Sequence, residues 1–409
     1  MAIVSRGGGP SEAGGGATRD GGGDGVVMTN LPPRTGPVCG RRPEMQAIAD
    51  AYTARQRAQS PGFVEITGAA GTGASTVAVE LARRVGVRFP GGAWYLRADL
   101  GPDLAWADLA AARGETATRS LAESAARERE RVAAGPRALL VVDGVASAEA
   151  WEAVKPPQAT VENGIDGFVV ADARTGAFEH VVDVPAVPEH AARRIAHAVL
   201  RLKEGDAAEA PVVRSCDGLA ITASLAARVA VARHPDPTGC SVPDLRAALM
   251  QLLPLVSRGP GNTAVELMLL AGVAHPTLIT TDALHGALAQ LRGARGIALA
   301  DEDVGHGVLH LVRLGLLTLD EESRVSIHPL VQEAVRGIVR GEEDLRVAQR
   351  GLAAGLVAAA EQALGDDGVD VRLVGLHQLR HLHATAEPVV QEQLAPTIAK
   401  VEAALGIAS

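Results

Sequence analysis

In the first half of the chain, short runs of consecutive apolar residues alternate with longer stretches of helical spacing. A helical pattern is predicted over 44–58, and "GFVEITG" at 62–68 reads as a short β-branched strand. A glycine loop follows, then a helix through about Val85. "GGAWYLRADL" (91–100) is the next predicted strand, and residues 104–134 are Ala- and Arg-rich with helical spacing. "RALLVVDG" (137–144) is nearly all apolar, as a strand buried on both faces of a parallel sheet must be. "GFVVADA" (167–173) and "HVVDVP" (180–185) add two more strands. Regular alternation of strand and helix predicts a doubly wound α/β domain with a parallel sheet.

Past residue 188 the strand-like runs stop. "EHAARRIAHAVLRLK" and "GLAITASLAARVAVARH" are helical, closed by Pro235 and Pro237. Residues 242–336 are mainly helical and end in two strand-like pieces, "LLTLD" and "RVSIH", around the acidic turn "DEES". Helices followed by a hairpin describe a winged helix. Residues 337–409 return to helical spacing without a repeat period. Residues 1–30 hold ten glycines and few apolar side chains, too little to offset ordering entropy. The predicted plan is a disordered leader (1–35), an α/β domain (36–187), a helical domain (188–258), a winged helix (259–340) and a C-terminal helical segment (341–409).

Bulk properties narrow the classes. A length of 409 residues suits two or three domains. Formal net charge is −9, which gives nucleic acid or an anionic membrane no bulk attraction. Between 262 and 336 nine acidic residues face five arginines, so direct DNA binding by the winged helix is not expected. Cys39, Cys216 and Cys240 are odd in number and widely spaced, which fits a reducing compartment and no zinc cluster. No signal peptide or spanning segment is read, and a cytoplasmic location is expected.

The chemistry concentrates at "GAAGTGAST" (68–76). Gly68, Gly71 and Gly73 let successive backbone N–H groups around Thr72 curl about an anion, and the helix that follows presents its positive end. Ser75 holds the hydroxyl position that would meet Mg²⁺, with Thr76 beside it. Ala74 stands where a phosphate-binding loop has lysine. A hydrogen bond to a charged group contributes roughly 1.5–3 kcal/mol, so its loss should weaken binding by about one to two decades. A glycine-rich strand–helix turn can also be only a turn. The apolar strand ending at Asp143 has the form of a Walker B segment, whose carboxylate orients Mg²⁺. Gly144 follows, where an acidic partner able to polarise water is often found, and Glu149 lies beyond the strand end.

In this order the motifs resemble the NB-ARC group of STAND NTPases, over about residues 36–340. "PVCGRRPEM" is similar to the family's "VGRE" segment, matched at Val38, Gly40, Arg41 and Glu44, whose backbone meets the adenine. "FPGGAWYLRADL" and "LLVVDGVAS" resemble the strand after the first helix and the Walker B strand with its turn. "CDGLAITASLAAR" is similar to the "GLPLA" helix, with Ala220 in the proline position. "SIHPLVQEAVR" resembles the "MHD" segment, so His328 would read the β-phosphate of ADP, with Pro329 replacing aspartate. "FVVADAR" departs from the sensor pattern, its Arg174 falling one residue late.

The resemblance implies ADP or ATP with Mg²⁺, held between the α/β domain and the winged helix by Val38, Gly40, Arg41, Gly68, Gly71, Thr72, Gly73, Ala74, Ser75, Thr76, Asp143 and His328. Ser75 and Asp143 would serve the metal. It further implies a regulatory protein with protein partners and self-association, ADP favoured over ATP and little or no hydrolysis. The residues alone leave an alternative, a nucleotide-free scaffold for protein–protein interaction. They also leave His328 readable as a plain helix cap, and Trp94 and Tyr95 as core or edge packing.

Overall fold

The computed structural model describes residues 29–32, 38–57, 62–114, 121–157, 164–200, 219–232, 244–257, 262–276, 279–293, 296–319, 323–339, 341–365 and 369–405. Most of the expected leader lies outside them, as do Cys216, Cys240 and most of the "DEES" turn. Residues 29–32 run along the sheet edge: Thr29 bridges Ala93, and Asn30 exchanges hydrogen bonds with the Tyr95 backbone.

Five parallel strands form the first sheet: β1 (Phe63–Thr67), β2 (Ala93–Arg97), β3 (Ala138–Asp143), β4 (Ile165–Ala171) and β5 (Val181–Asp183). They lie in the order β2-β3-β4-β1-β5. Side chains alternate across a strand, and the two faces show it. Val64, Ile66, Leu139, Val141, Phe168 and Val170 pack with helices Arg42–Arg57 and Ala74–Val85. Phe63, Trp94, Leu96, Leu140, Val142 and Val169 pack on the opposite face with Trp106 and Leu109 of helix Pro102–Ala112. Both faces are covered, which is why β3 and β4 read as unbroken apolar runs.

The second half is helical apart from a small antiparallel sheet, β6 (Ile279–Thr280), β7 (Leu317–Leu319) and β8 (Arg324–Ile327), in the order β6-β8-β7. The hairpin β7–β8 is the one expected from "LLTLD" and "RVSIH"; the two-residue β6 carries too little pattern to be read beforehand. Helix Ala148–Val154, capped by Ser147, was likewise not anticipated. One apolar core runs from Leu225 through the winged helix to Leu405 and reaches Ala107 and Leu121 of the first domain. The Leu121 N–H donates to the Leu405 carbonyl at 2.9 Å, so the far end of the chain returns to the α/β domain. Among the described residues, no helix is long and apolar enough to cross a membrane.

This is P-loop NTPase architecture: a parallel sheet with a glycine loop after β1 and an aspartate ending β3, followed by a helical region with a small winged sheet.

Candidate functional site

The loop leaves β1 at Thr67, and the Gly68 N–H is taken by the Ala171 carbonyl at 3.1 Å. Gly71 (φ +84°) and Gly73 (φ +94°) are left-handed, the alternation that turns consecutive N–H groups toward one concave side. Carbonyls on the other side are held by protein donors. Ala69 O accepts from the Thr72 N–H (3.1 Å) and hydroxyl (2.8 Å), Gly71 O from the Ala220 N–H (3.0 Å), and Thr72 O from the Arg41 guanidinium (2.6 Å). Among the described residues, no protein acceptor takes the N–H groups of Gly73, Ala74 or Ser75 at the helix start. Ala74 is buried in the apolar cluster under the sheet, and Thr76 is exposed.

Ser75 and Asp143 meet as the motif requires, with the Ser75 hydroxyl donating to Asp143 Oδ1 at 3.0 Å. The second carboxylate oxygen accepts from the Tyr95 hydroxyl, across from neighbouring β2. Burial pushes the Asp143 carboxyl up, opposed by the hydrogen bonds from Tyr95 and Ser75 and by the nearby Arg97 charge. Burial, and then Asp143 itself, push the Tyr95 phenol well above its ordinary range. A serine hydroxyl beside an aspartate at the loop is a donor set suited to Mg²⁺ shared with phosphates. Among the described residues there is no cluster of three or more His, Cys, Asp and Glu that could hold a metal without them.

The position after Asp143 holds a substitution in space. Gly144 is left-handed (φ +79°), and a Cβ there would lie 3.2 Å from Asp99 Cβ and 3.5 Å from its carboxyl carbon. A carboxylate from the end of β2 thus crowds the volume in which a residue-144 side chain would begin. Arg97 grips Asp99 through two hydrogen bonds, Nε to Oδ1 at 3.2 Å and Nη2 to Oδ2. Glu149 is exposed in the first turn of the following helix.

The "VGRE"-like segment is pinned from both sides. Val38 packs on the sheet cluster, and a Cβ at Gly40 (φ +68°) would stand 2.1 Å from Ala191 Cβ of helix Glu189–Leu200. Arg41 is 4% exposed, its second amino group paired with Glu44 at 3.1 Å.

His328 caps helix Pro329–Ile338: Nδ1 accepts the Leu330 N–H at 3.2 Å. That bond places the ring proton on Nε2, which remains a donor. Burial lowers its pKa to about 4, so the ring is neutral at physiological pH. The contact between this segment and the loop is made by Leu330. Its Cδ1 lies 2.8 Å, and Ile221 Cγ2 3.1 Å, from where a Cβ at Gly71 would stand. A side chain at 71 would be strained at this φ and would require the Leu330 and Ile221 side chains to shift. Arg174 of the sensor-like segment turns to Asp183 at the sheet edge, where both side chains are exposed.

The structure therefore brings Arg41, the 68–76 loop, Ser75 and Asp143 into one neighbourhood, with the segment just after His328 against it. Sequence reasoning missed Tyr95 and Asp99 as partners of the β3 end, and Leu219, Ile221 and Leu330 as cover for Gly71. The "YLRAD" charge pattern at the end of a strand neighbouring β3 was the one available signal for Asp99.

No protein-family model matches the chain, and no curated protein matches it by sequence. Solved structures of similar shape include a signal transduction ATPase with numerous domains (STAND) carrying a tetratricopeptide repeat sensor, from Pyrococcus horikoshii. It is 15% identical with a TM-score of 0.48, over 92% of this chain and 57% of that one. The Aeropyrum pernix ORC1 protein in complex with DNA is 15% identical, TM-score 0.36, over 74% and 94%. The Thermotoga maritima RuvB Holliday junction branch migration motor is 13% identical, TM-score 0.34, over 72% and 94%. The chain spans just over half the length of the P. horikoshii protein. At these identities and TM-scores the likenesses carry no argument here, and the fold and the site stand on their own residues.

Proposed function

We propose that this chain is a nucleotide-binding regulatory protein of NB-ARC type, holding ADP in preference to ATP and hydrolysing little or none. One observation carries the reading: the loop that would cradle the phosphates is also the surface on which the winged helix rests, through Leu330 at Gly71. A ligand in that loop touches the joint between two parts of the molecule, so its presence or its phosphate count biases how they sit. Main-chain amides and a neutral histidine donor suffice for a diphosphate. Fast hydrolysis asks for the cation absent at Ala74 and a free base after Asp143, where Gly144 has no side chain and Asp99 is engaged by Arg97.

Bound ADP would meet Val38 and Gly40 at its base, the amides of 71–76 at its phosphates, and Mg²⁺ at Ser75 and Asp143. The ion would supply charge neutralisation at the phosphates. Protein partners and self-association belong to the state in which the winged helix has left the loop. Titration of the purified chain with fluorescent ADP tests this, and saturable binding below millimolar ligand is expected. Absence of binding at millimolar ADP removes the nucleotide and leaves the second reading, a scaffold whose loop is only a strand–helix turn. The departures from the motifs at Ala74, Gly144, Ala220 and Pro329 favour that second reading.

A further inference from the structure

A loop without lysine must bind phosphate through its amides, and amides help only when they already point at the ligand. In a trans peptide the C=O and N–H of one plane are antiparallel. Fixing the Thr72 carbonyl on the outer side of the loop therefore fixes the Gly73 N–H toward the inner side. The group that fixes it is the Arg41 guanidinium, 2.6 Å from Thr72 O. This arginine lies 31 residues upstream in sequence.

Such an arrangement is not a surface charge finding a neighbour. Arg41 is 4% exposed, and burying a guanidinium is unfavourable unless its donors are used. One amino group goes to the loop carbonyl and the other to Glu44, which is itself largely buried. Both ends of the brace are fixed. Glu44 sits in the first turn of helix Arg42–Arg57, and Gly40 is wedged against Ala191. Gly73 has no left-handed penalty to hold its peptide in place, being glycine at φ +94°. Without an outside tie this peptide is free to turn.

We propose that Arg41 is the positioning residue of the phosphate loop, aiming the Gly73 N–H at a phosphate oxygen and doing by bracing what Ala74 cannot do by charge. The inference rests on the nucleotide reading above and assigns the loop's ligand as a nucleoside diphosphate recognised through its phosphates. A brace of this kind acts on phosphate affinity and leaves the base and sugar contacts alone.

The test compares four full-length proteins, each checked by thermal melting: wild type, Arg41→Gln, Arg41→Lys and the double variant Arg41→Ala/Glu44→Ala. The double variant leaves no carboxylate buried alone, so it remains informative if Arg41→Gln does not fold. Labelled ADP is titrated directly, and adenosine is measured as competitor. The account expects Arg41→Gln and the double variant to lose about tenfold in ADP affinity, with adenosine nearly unchanged and Arg41→Lys, one ammonium for two partners, falling between them and wild type. Equal losses for ADP and adenosine would show that Arg41 only holds the domain together, and unchanged ADP affinity would show that the loop needs no brace. Either overturns the inference while leaving nucleotide binding intact. If wild type binds no ADP, both fall together.

Discussion

Two polar regions of this molecule are buried by opposite means. At the loop edge of the sheet most charged and polar atoms have a directed partner: Asp143 has Tyr95 and Ser75, Thr72 O has Arg41 and Gly71 O has Ala220, while Glu44 Oε2 beside Arg41 is the exception. At the junction of the winged helix with helix Val369–Thr385, three imidazoles are packed almost like apolar rings. His275 lies edge-on to His377 (centroids 4.0 Å apart) and to His381 (4.9 Å). The Nε2 atoms of His377 and His381 are buried without a hydrogen-bond partner among the described residues. The directional element there is Gln378, which accepts from the His275 N–H at 2.9 Å and donates to its carbonyl at 3.2 Å. Hydrogen bonds define the first region in a way that acid barely touches until carboxylates titrate. The second is held by neutrality, and a proton is enough to disturb it.

The largest expected difference is in pH. Burial lowers His377 to about 4, with Arg97, His381 and Arg380 adding to the effect and Asp99 opposing it. Burial lowers His275 to about 2, helped by its two histidine neighbours and Arg97, and lowers His381 beside Arg336. A histidine depressed in the folded state takes its proton first in the unfolded chain, whose ordinary value is about 6.5. Stability is then complete above pH 6.5 and falls as pH drops from 6.5 toward 4, by about 3 kcal/mol for His377 alone. His328, also lowered to about 4, contributes in the same direction. Limited proteolysis and denaturant melts across this window should show helix Val369–Thr385 detaching first, and His377→Leu should flatten the fall. A flat profile between pH 6.5 and 4 would mean that the junction tolerates charge and the contrast is mistaken.

A smaller effect belongs to the matched region. Tyr95→Phe removes one of the two donors to a buried carboxylate and should destabilise the chain by about 2 kcal/mol at neutral pH. It should also push the Asp143 carboxyl further up, since burial already raises it and Tyr95 is the first hydrogen bond opposing that rise. Denaturant melts of both proteins check this, and a change within about 0.5 kcal/mol would place Tyr95 among ordinary surface substitutions.

Much of the first region was legible beforehand because its signals are local. The run "ALLVVD" and the glycine spacing at 68–73 report their own backbone conformation, and the strand and the strand–loop–helix turn are found there. Apolar alternation says which face a residue occupies, never which distant residue it meets. Hence Tyr95 reads as packing, Asp99 carries no signal beyond the "YLRAD" pattern, and Arg41 is matched only as a position of the "VGRE" segment, without its partner at Thr72. From sequence, His328 is open both to a phosphate contact and to a helix cap. The cap is present, and it leaves Nε2 as the donor available for the other role. The histidine junction is not legible for the same reason: His377 and His381 are an i, i+4 pair on one helix, but nothing in the sequence brings His275, about a hundred residues away, to their side. The small strand β6 was too short to alternate.

Hydrogen exchange with and without saturating ADP tests most directly whether a nucleotide sits at the joint of loop and winged helix. The account predicts slower exchange both in the 68–76 loop and in the first turn of helix Pro329–Ile338. Unchanged exchange in both segments, or protection of the loop alone, would contradict it.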